Sequence, residues 1–256
     1  MKLEYVSIER RGPIAVVRFD RNQNLNAFNA QLVAELTSVA RGFHDDLETQ
    51  AVVLAGASNA FSAGFDLKAT DSWNAETDDL KRRHRAYGGV RLCKAWEEMP
   101  QITIAAMERV AVGAGVAIAL ACDWRVLGRS AYLYVPEVKI GLNLQWGALP
   151  RLLTLVGPAR AKRITILCEK MPAAQALDWG VVDELADDGA TIEKALELAE
   201  VAAGMPAATV RMVKEAVNAT AGALHGATSF ADADQSQVTV GYAASAAAKS
   251  AFRSKT

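Results

Sequence analysis

Residues 51–67, AVVLAGASNAFSAGFDL, decide the fold. Ala51-Val52-Val53-Leu54-Ala55 is an unbroken apolar run of strand length, the pattern of a strand buried on both faces. It passes into a loop of small residues, Phe61-Ser62-Ala63-Gly64-Phe65-Asp66-Leu67. Further on the order recurs: Ile102-Thr103-Ile104-Ala105-Ala106, then the Gly/Ala-rich loop Val112-Gly113-Ala114-Gly115, then a predicted helix over 115–121. Repeated strand, loop and helix units favour parallel strands with crossover helices.

Toward the N-terminus, the period-2 runs LEYVSIE and IAVVRF flank the turn signal Arg11-Gly12-Pro13 and predict a β-hairpin over 3–19. Apolar positions Leu32, Val33, Leu36, Val39, Ala40 and Phe43 recur at helical spacing and predict a helix within 29–47, and 79–98 also reads as helical. Strands are predicted at 124–127 and 132–135, then helices near 158–168, 173–179, 191–203, 206–220 and 228–251. No linker or charge block divides the chain. The reading is one α/β domain, with a core over 1–190 and a C-terminal helical region over 191–256.

The chain has 256 residues, 29 acidic and 28 basic, a formal charge of −1 and 51% hydrophobic residues. Near-neutral charge argues against nucleic acid or an anionic membrane as a bulk partner. The longest uncharged apolar stretch, 110–122, falls short of the ~18 residues needed to span a bilayer. The N-terminal twelve residues carry charges at 2, 4, 9, 10 and 11 and no apolar h-region, so a cytosolic location is expected. Cys93, Cys122 and Cys168 are odd in number and far apart, and read as reduced core thiols.

Several site patterns fail. Gly113-Ala114-Gly115 has Ile118 where a dinucleotide loop needs its third Gly, and Ala60-Phe61-Ser62-Ala63-Gly64 falls one Gly short of a nucleophile elbow. His44, His84 and His225 show no metal-ligand spacing. Two loops survive, 61–67 and 112–115, each leading from a buried strand toward a helix whose first N–H groups lack intrahelical partners. Facing one point, they would form a two-donor pocket for a developing oxyanion; the alternative is that their small residues only permit tight strand–helix packing.

The four segments Asn26-Ala27-Phe28-Asn29, Phe61-Ser62-Ala63-Gly64-Phe65-Asp66-Leu67-Lys68, Val112-Gly113-Ala114-Gly115 with Ala121-Cys122-Asp123, and Pro136-Glu137-Val138-Lys139-Ile140-Gly141, in that order, resemble the signature of the crotonase (enoyl-CoA hydratase/isomerase) superfamily. The similarity continues through Arg151-Leu152, Gly157 and residues 173–183 to Phe252 and Lys255, so it covers essentially the whole chain. It implies a spiral of ββα turns with two nearly perpendicular sheets, and C-terminal helices that build trimers, usually paired into hexamers. It also implies a coenzyme A thioester substrate and no cofactor beyond that coenzyme. The thioester oxygen would be held by the backbone N–H groups of Phe65 and Ala114, although Gly is commoner at the second position. Coenzyme A would lie along Asn26 and Ala27, with Ala63, Asp66 and Lys68 nearby, and Phe252 and Lys255 would reach its adenine end.

The resemblance places one catalytic glutamate at Glu137, and puts Ala117 where hydratases carry a second. A further acidic position of some relatives is Gln145, which cannot take a proton at neutral pH. One carboxylate beside an oxyanion hole can move a proton between two carbons, which is double-bond isomerisation. One-glutamate hydration, with water oriented by Gln145 or by backbone, is the alternative, and a silent CoA-binding relative is a third. Trp73, Trp96, Trp146 and Phe65 are candidate acyl-pocket walls, Trp146 foremost because it follows Gln145. The basic stretch Lys81-Arg82-Arg83-His84-Arg85 with Arg91 and Lys94 admits an RNA-binding reading, but a solvated helix face or an attractor for the anionic coenzyme fits it better.

Overall fold

The computed structural model describes residues 2–67 and 77–253, and at 252 and 253 the backbone alone. Its strands are β1 (Val6–Arg11), β2 (Ile14–Phe19), β3 (Ala51–Ala55), β4 (Ile102–Met107), β5 (Val110–Val112), β6 (Trp124–Gly128), β7 (Tyr132–Tyr134), β8 (Met171–Pro172) and β9 (Glu184–Ala186). β1 and β2 form the expected antiparallel hairpin. From β2 onward β3, β4, β6 and β9 pair in parallel, completing a six-stranded sheet in the order β1-β2-β3-β4-β6-β9. A second, three-stranded sheet has the order β5-β7-β8.

The apolar runs exist because the central strands are covered on both sides. Ala15, Val17, Val52, Leu54, Ala105 and Met107 point into one core, with Leu32, Leu36, Leu92 and Trp96 from helices Ala30–Gly42 and Gly88–Glu97. The alternate residues Ile14, Val16, Val53, Ile104 and Ala106 point into a second core beneath helix Thr191–Ala203, against Ala195, Leu196 and Ala199. That helix lies beyond the division at residue 190, yet it packs against β2, β3, β4, β6 and β9 on one face of the sheet. This two-sided α/β arrangement is the fold the resemblance implies.

Element boundaries depart from expectation in three places. The helix expected over 79–98 is two, Asp79–Ala86 and Gly88–Glu97, hinged at Tyr87 where the pair Gly88-Gly89 weakens helix continuity. The helix expected near 158–168 is present, but another precedes it: Ala148–Leu167 is two helices joined at the non-helical Gly157 (φ 73, ψ 171), the second beginning at Pro158. The helix expected over 228–251 is three, His225–Ser229, Asp232–Val240 and Ala243–Arg253, bent so that the second packs on Asp79–Ala86 and the third on the 3-10 turn Glu137–Ile140. β5, β8 and β9 were not expected; at 3, 2 and 3 residues they are too short to show alternation.

The three cysteines are free and buried, and burial pushes the Cys93 and Cys122 thiols up to about 12. They are inert core residues. Among the described residues no helix is long and apolar enough to cross a membrane.

Candidate active site

β5 brings the two loops together. Ser62 N–H donates to Val110 O (3.0 Å) and Val112 N–H to Ser62 O (2.9 Å), so residues 61–65 run beside the segment that ends in Gly113-Ala114. On the other side, Phe28 N–H donates to Gly64 O and Asp66 N–H to Phe28 O, a parallel bridge between Phe28 and Phe65. In that pattern the bridged residue's own N–H points away from its partner strand. Phe65 N–H is therefore directed away from Phe28. Ala114, first residue of helix Ala114–Leu120, has an N–H that donates to no acceptor among the described residues, and it stands 3.8 Å from the place a Cβ on Gly64 would take.

Glu137 reaches this point from the second sheet. Val112 pairs with Tyr134 in the β5–β7 register, Gly113 N–H donates to Tyr134 O (2.8 Å), and the chain turns at Pro136 into Glu137–Ile140. The Glu137 carboxylate folds back over Gly113, where an added Cβ would lie 2.6 Å from its Oε1. Its Oε2 is buried without a hydrogen-bond partner among the described residues, while the residue as a whole is part-buried. Burial raises its pKa to about 7. Gly113→Ala would force a methyl onto the carboxylate at a backbone of φ +48. The expected result is a stability loss of about 1–3 kcal/mol in thermal denaturation, and a larger fractional loss of turnover as Glu137 is displaced.

The Asn26 loop frames the site. Residues Asn22, Asn24, Leu25 and Asn26 all have left-handed φ (52, 51, 48 and 58), which Asn adopts readily and Leu25 only at a cost. Asn26 holds this loop, accepting from Arg21 N–H and donating to Phe19 O and Phe61 O. Asp66 accepts from Arg21 and Asn24, and Ala63 N–H donates to Leu25 O (2.9 Å). Asn26 and Asp66 thus act through the frame, and Ala27 is buried. Phe28 is core and Asn29 caps helix Ala30–Gly42 through Leu32 N–H (2.8 Å).

Trp146 lies at the site and Trp96 does not. The Trp146 ring meets Phe65 at 6.2 Å and Phe28 at 5.7 Å, edge to face. Trp96 is fully buried, donating to Leu36 O, and Ala117 is buried in helix Ala114–Leu120. Gln145 Nε2 donates to Ser236 Oγ (2.7 Å) on helix Asp232–Val240. Lys68, Trp73 and Lys255, and the side chain of Phe252, lie outside the described residues. The basic stretch is compensated: Lys81 pairs with Asp78, Arg82 with Asp79 and Arg83 with Asp234, while Arg91 donates to His84 O.

A polar clamp behind the site carries no sequence motif. Arg151 makes a two-pronged bond to Glu97 (2.8 and 2.7 Å) and donates to Trp146 O, and Asp232 accepts from Gly147 N–H (2.7 Å). Arg151 was legible only as part of the resemblance; Asp232 and Gly89 had no signal, because their partners are distant in sequence.

Comparison with known proteins matches residues 9–252 to the enoyl-CoA hydratase/isomerase family. The chain is 30% identical over 219 residues to the short-chain-enoyl-CoA hydratase of Clostridium acetobutylicum, covering 85% of this chain and 82% of that protein. An enoyl-CoA hydratase structure from Mycobacterium avium subsp. paratuberculosis K-10 shares the fold, with a TM-score of 0.88 at 23% identity, over 99% of this chain and 97% of that one. The enoyl-CoA hydratase structure from Bacillus anthracis matches at TM-score 0.78 and 29% identity, over 84% and 82%. The chain therefore belongs to the enoyl-CoA hydratase/isomerase family, within the crotonase superfamily.

Proposed function

We propose that this protein shifts the double bond of an enoyl-CoA thioester, with Glu137 as its only acid–base group and no cofactor beyond the coenzyme on the substrate. The observation that carries this is the Glu137 carboxylate over Gly113, its Oε2 buried without a partner among the described residues, with Ala117 where a second carboxylate would stand. Ionised Glu137 removes a proton from Cα of a 3-enoyl thioester, and the electron pair moves onto the thioester oxygen as a dienolate. The N–H groups of Phe65 and Ala114 form the oxyanion hole, where losing one donor typically costs about 2.7–4 kcal/mol. Glu137, now protonated, returns the proton at Cγ and the double bond comes to rest between Cα and Cβ. A pKa of about 7 suits a group that must accept and then return the same proton.

Coenzyme A would lie along the left-handed Asn22–Asn26 loop at Ala27 and Ala63, with Lys68 nearby and Phe252 and Lys255 toward its adenine end. We read the protein as cytosolic and as a homotrimer or homohexamer; Met212, Val213 and Val217 leave an apolar face of helix Ala207–Ala221 at 68%, 57% and 58% exposure, in keeping with assembly.

Hydration is the second reading, favoured by the names of similar relatives, several of which are called enoyl-CoA hydratases. It needs a water positioned without a second glutamate, and the Gln145 amide is already engaged with Ser236. A spectrophotometric comparison of 2-enoyl-CoA and 3-enoyl-CoA with the purified protein decides. Appearance of the conjugated 2-enoyl chromophore from the 3-enoyl substrate supports isomerisation; its loss from the 2-enoyl substrate supports hydration; silence on both overturns the enzyme reading. Ala117→Glu is expected to raise crotonyl-CoA hydration, at a stability cost of about 1–3 kcal/mol for placing a carboxylate in a packed helix. A folded variant with no gain would count against hydratase geometry around Glu137.

A further inference from the structure

We propose that Trp146, seated on Gly89 and clamped by Arg151 and Asp232, closes the end of the acyl pocket and limits this protein to short acyl chains. The inference rests on the reading of Phe65 as a thioester-oxygen donor. Trp146 and Gly147 are consecutive left-handed residues, with φ of 64 and 68. For a residue as bulky as Trp this conformation is strained, and it persists only where the surroundings over-determine it. Here they do: Arg151 Nη1 donates to Trp146 O (3.0 Å), Gly147 N–H donates to Asp232 Oδ2 (2.7 Å) and Ala148 N–H donates to Gln145 O (3.1 Å).

What this strained turn achieves is the position of one indole. Its ring stands edge to face on Phe65 (82°) and on Phe28 (87°). Its third side rests on Gly89, where any Cβ would fall inside the indole ring. The second residue of helix Gly88–Glu97 is thus a glycine whose missing side chain is the seat of Trp146. Trp146 is partly buried and packs against the edge of the larger core, so it is not sealed inside it. An acyl chain whose carbonyl is held at Phe65 N–H, and which runs past the Phe65 ring, meets the indole within a few carbons.

The test is calorimetric binding of butanoyl-, hexanoyl-, octanoyl- and decanoyl-CoA to the full-length protein, which needs no turnover. An open apolar channel gains roughly fourfold in affinity per methylene buried. The wild-type protein is expected to stop gaining, or to lose affinity, beyond hexanoyl-CoA. Trp146→Leu is expected to raise the decanoyl-to-butanoyl affinity ratio at least tenfold. Trp146→Phe, which keeps an aromatic ring of smaller size, gives a smaller increase and serves if the leucine variant does not fold. Gly89→Ala, which drives the indole off its seat, weakens even hexanoyl-CoA binding. A wild-type protein that gains steadily up to decanoyl-CoA, or a folded Trp146 variant with an unchanged ratio, overturns the inference. Absence of turnover alongside the expected binding profile would instead count against the isomerase reading and leave the pocket assignment standing.

Discussion

Glu137→Gln is expected to lower turnover of the best enoyl-CoA substrate by about 10²–10⁴-fold while coenzyme A thioester affinity stays within a few-fold. The amide keeps the shape of the carboxylate and still meets Gly113, but it cannot accept the Cα proton. The N–H groups proposed to bind the thioester oxygen belong to backbone and are untouched. The same substitution has a pH signature. Because burial lifts the folded-state pKa from 4.5 to about 7, the folded protein holds a proton that the unfolded chain has already released between these values. Stability is therefore unaffected below about pH 4.5, falls as pH rises toward 7, and carries the full cost, about 3 kcal/mol, above it. Denaturant titrations at pH 5 and pH 8 should show the wild-type protein losing stability that the Gln variant keeps. kcat/KM of the wild type should rise with pH through the same region, since the ionised carboxylate is the base.

Removing the guanidinium of Arg151 is expected to have the largest effect on folding. Its side chain is 10% exposed and bonds both carboxylate oxygens of Glu97, whose side chain is 29% exposed. Burial alone would raise the Glu97 carboxyl, and the Arg151 bonds reverse this and hold it below its ordinary value. Arg151→Met strands that carboxylate, leaving His225 Nδ1 at 3.9 Å and the field of Lys214 to face it. The expected cost is about 3–5 kcal/mol, a fall in Tm on the order of 10 °C for a chain of this size. Arg151→Met combined with Glu97→Gln should recover part of the loss, because the stranded charge is gone. If Arg151→Met melts with the wild-type protein, the pair is not buried as described.

How much of this was legible in the sequence follows from where each signal is stored. The alternation of Ile14, Ala15, Val16 and Val17 between two cores is a local pattern, and so are the apolar runs of β3 and β4; the parallel sheet could be read from them. Glu137 and the loops at Phe65 and Ala114 were legible as motif residues. That its Oε2 is buried without a partner among the described residues was not, because this depends on the β5–β7 register, which places Tyr134 beside Val112. β5 itself has three residues and no periodic signature. The break at Tyr87 has a local cause in Gly88-Gly89, but its purpose lies in Trp146. The bond from Gly147 to Asp232 spans 85 positions, and the bond from Arg151 to Glu97 spans 54. Such pairings are products of the assembled fold, and a motif read along the chain does not contain them.

The most direct test of the central claim, that Glu137 alone moves the proton while backbone N–H groups hold the charge, is a mass spectrum of the product formed from 3-butenoyl-CoA in deuterium oxide enriched in heavy oxygen. The wild-type protein is expected to yield 2-butenoyl-CoA carrying hydrogen or deuterium newly placed at Cγ and no heavy oxygen, and Glu137→Gln is expected to yield unchanged starting material. Heavy oxygen in the first-formed wild-type product, or continued hydrogen transfer by Glu137→Gln, would contradict it.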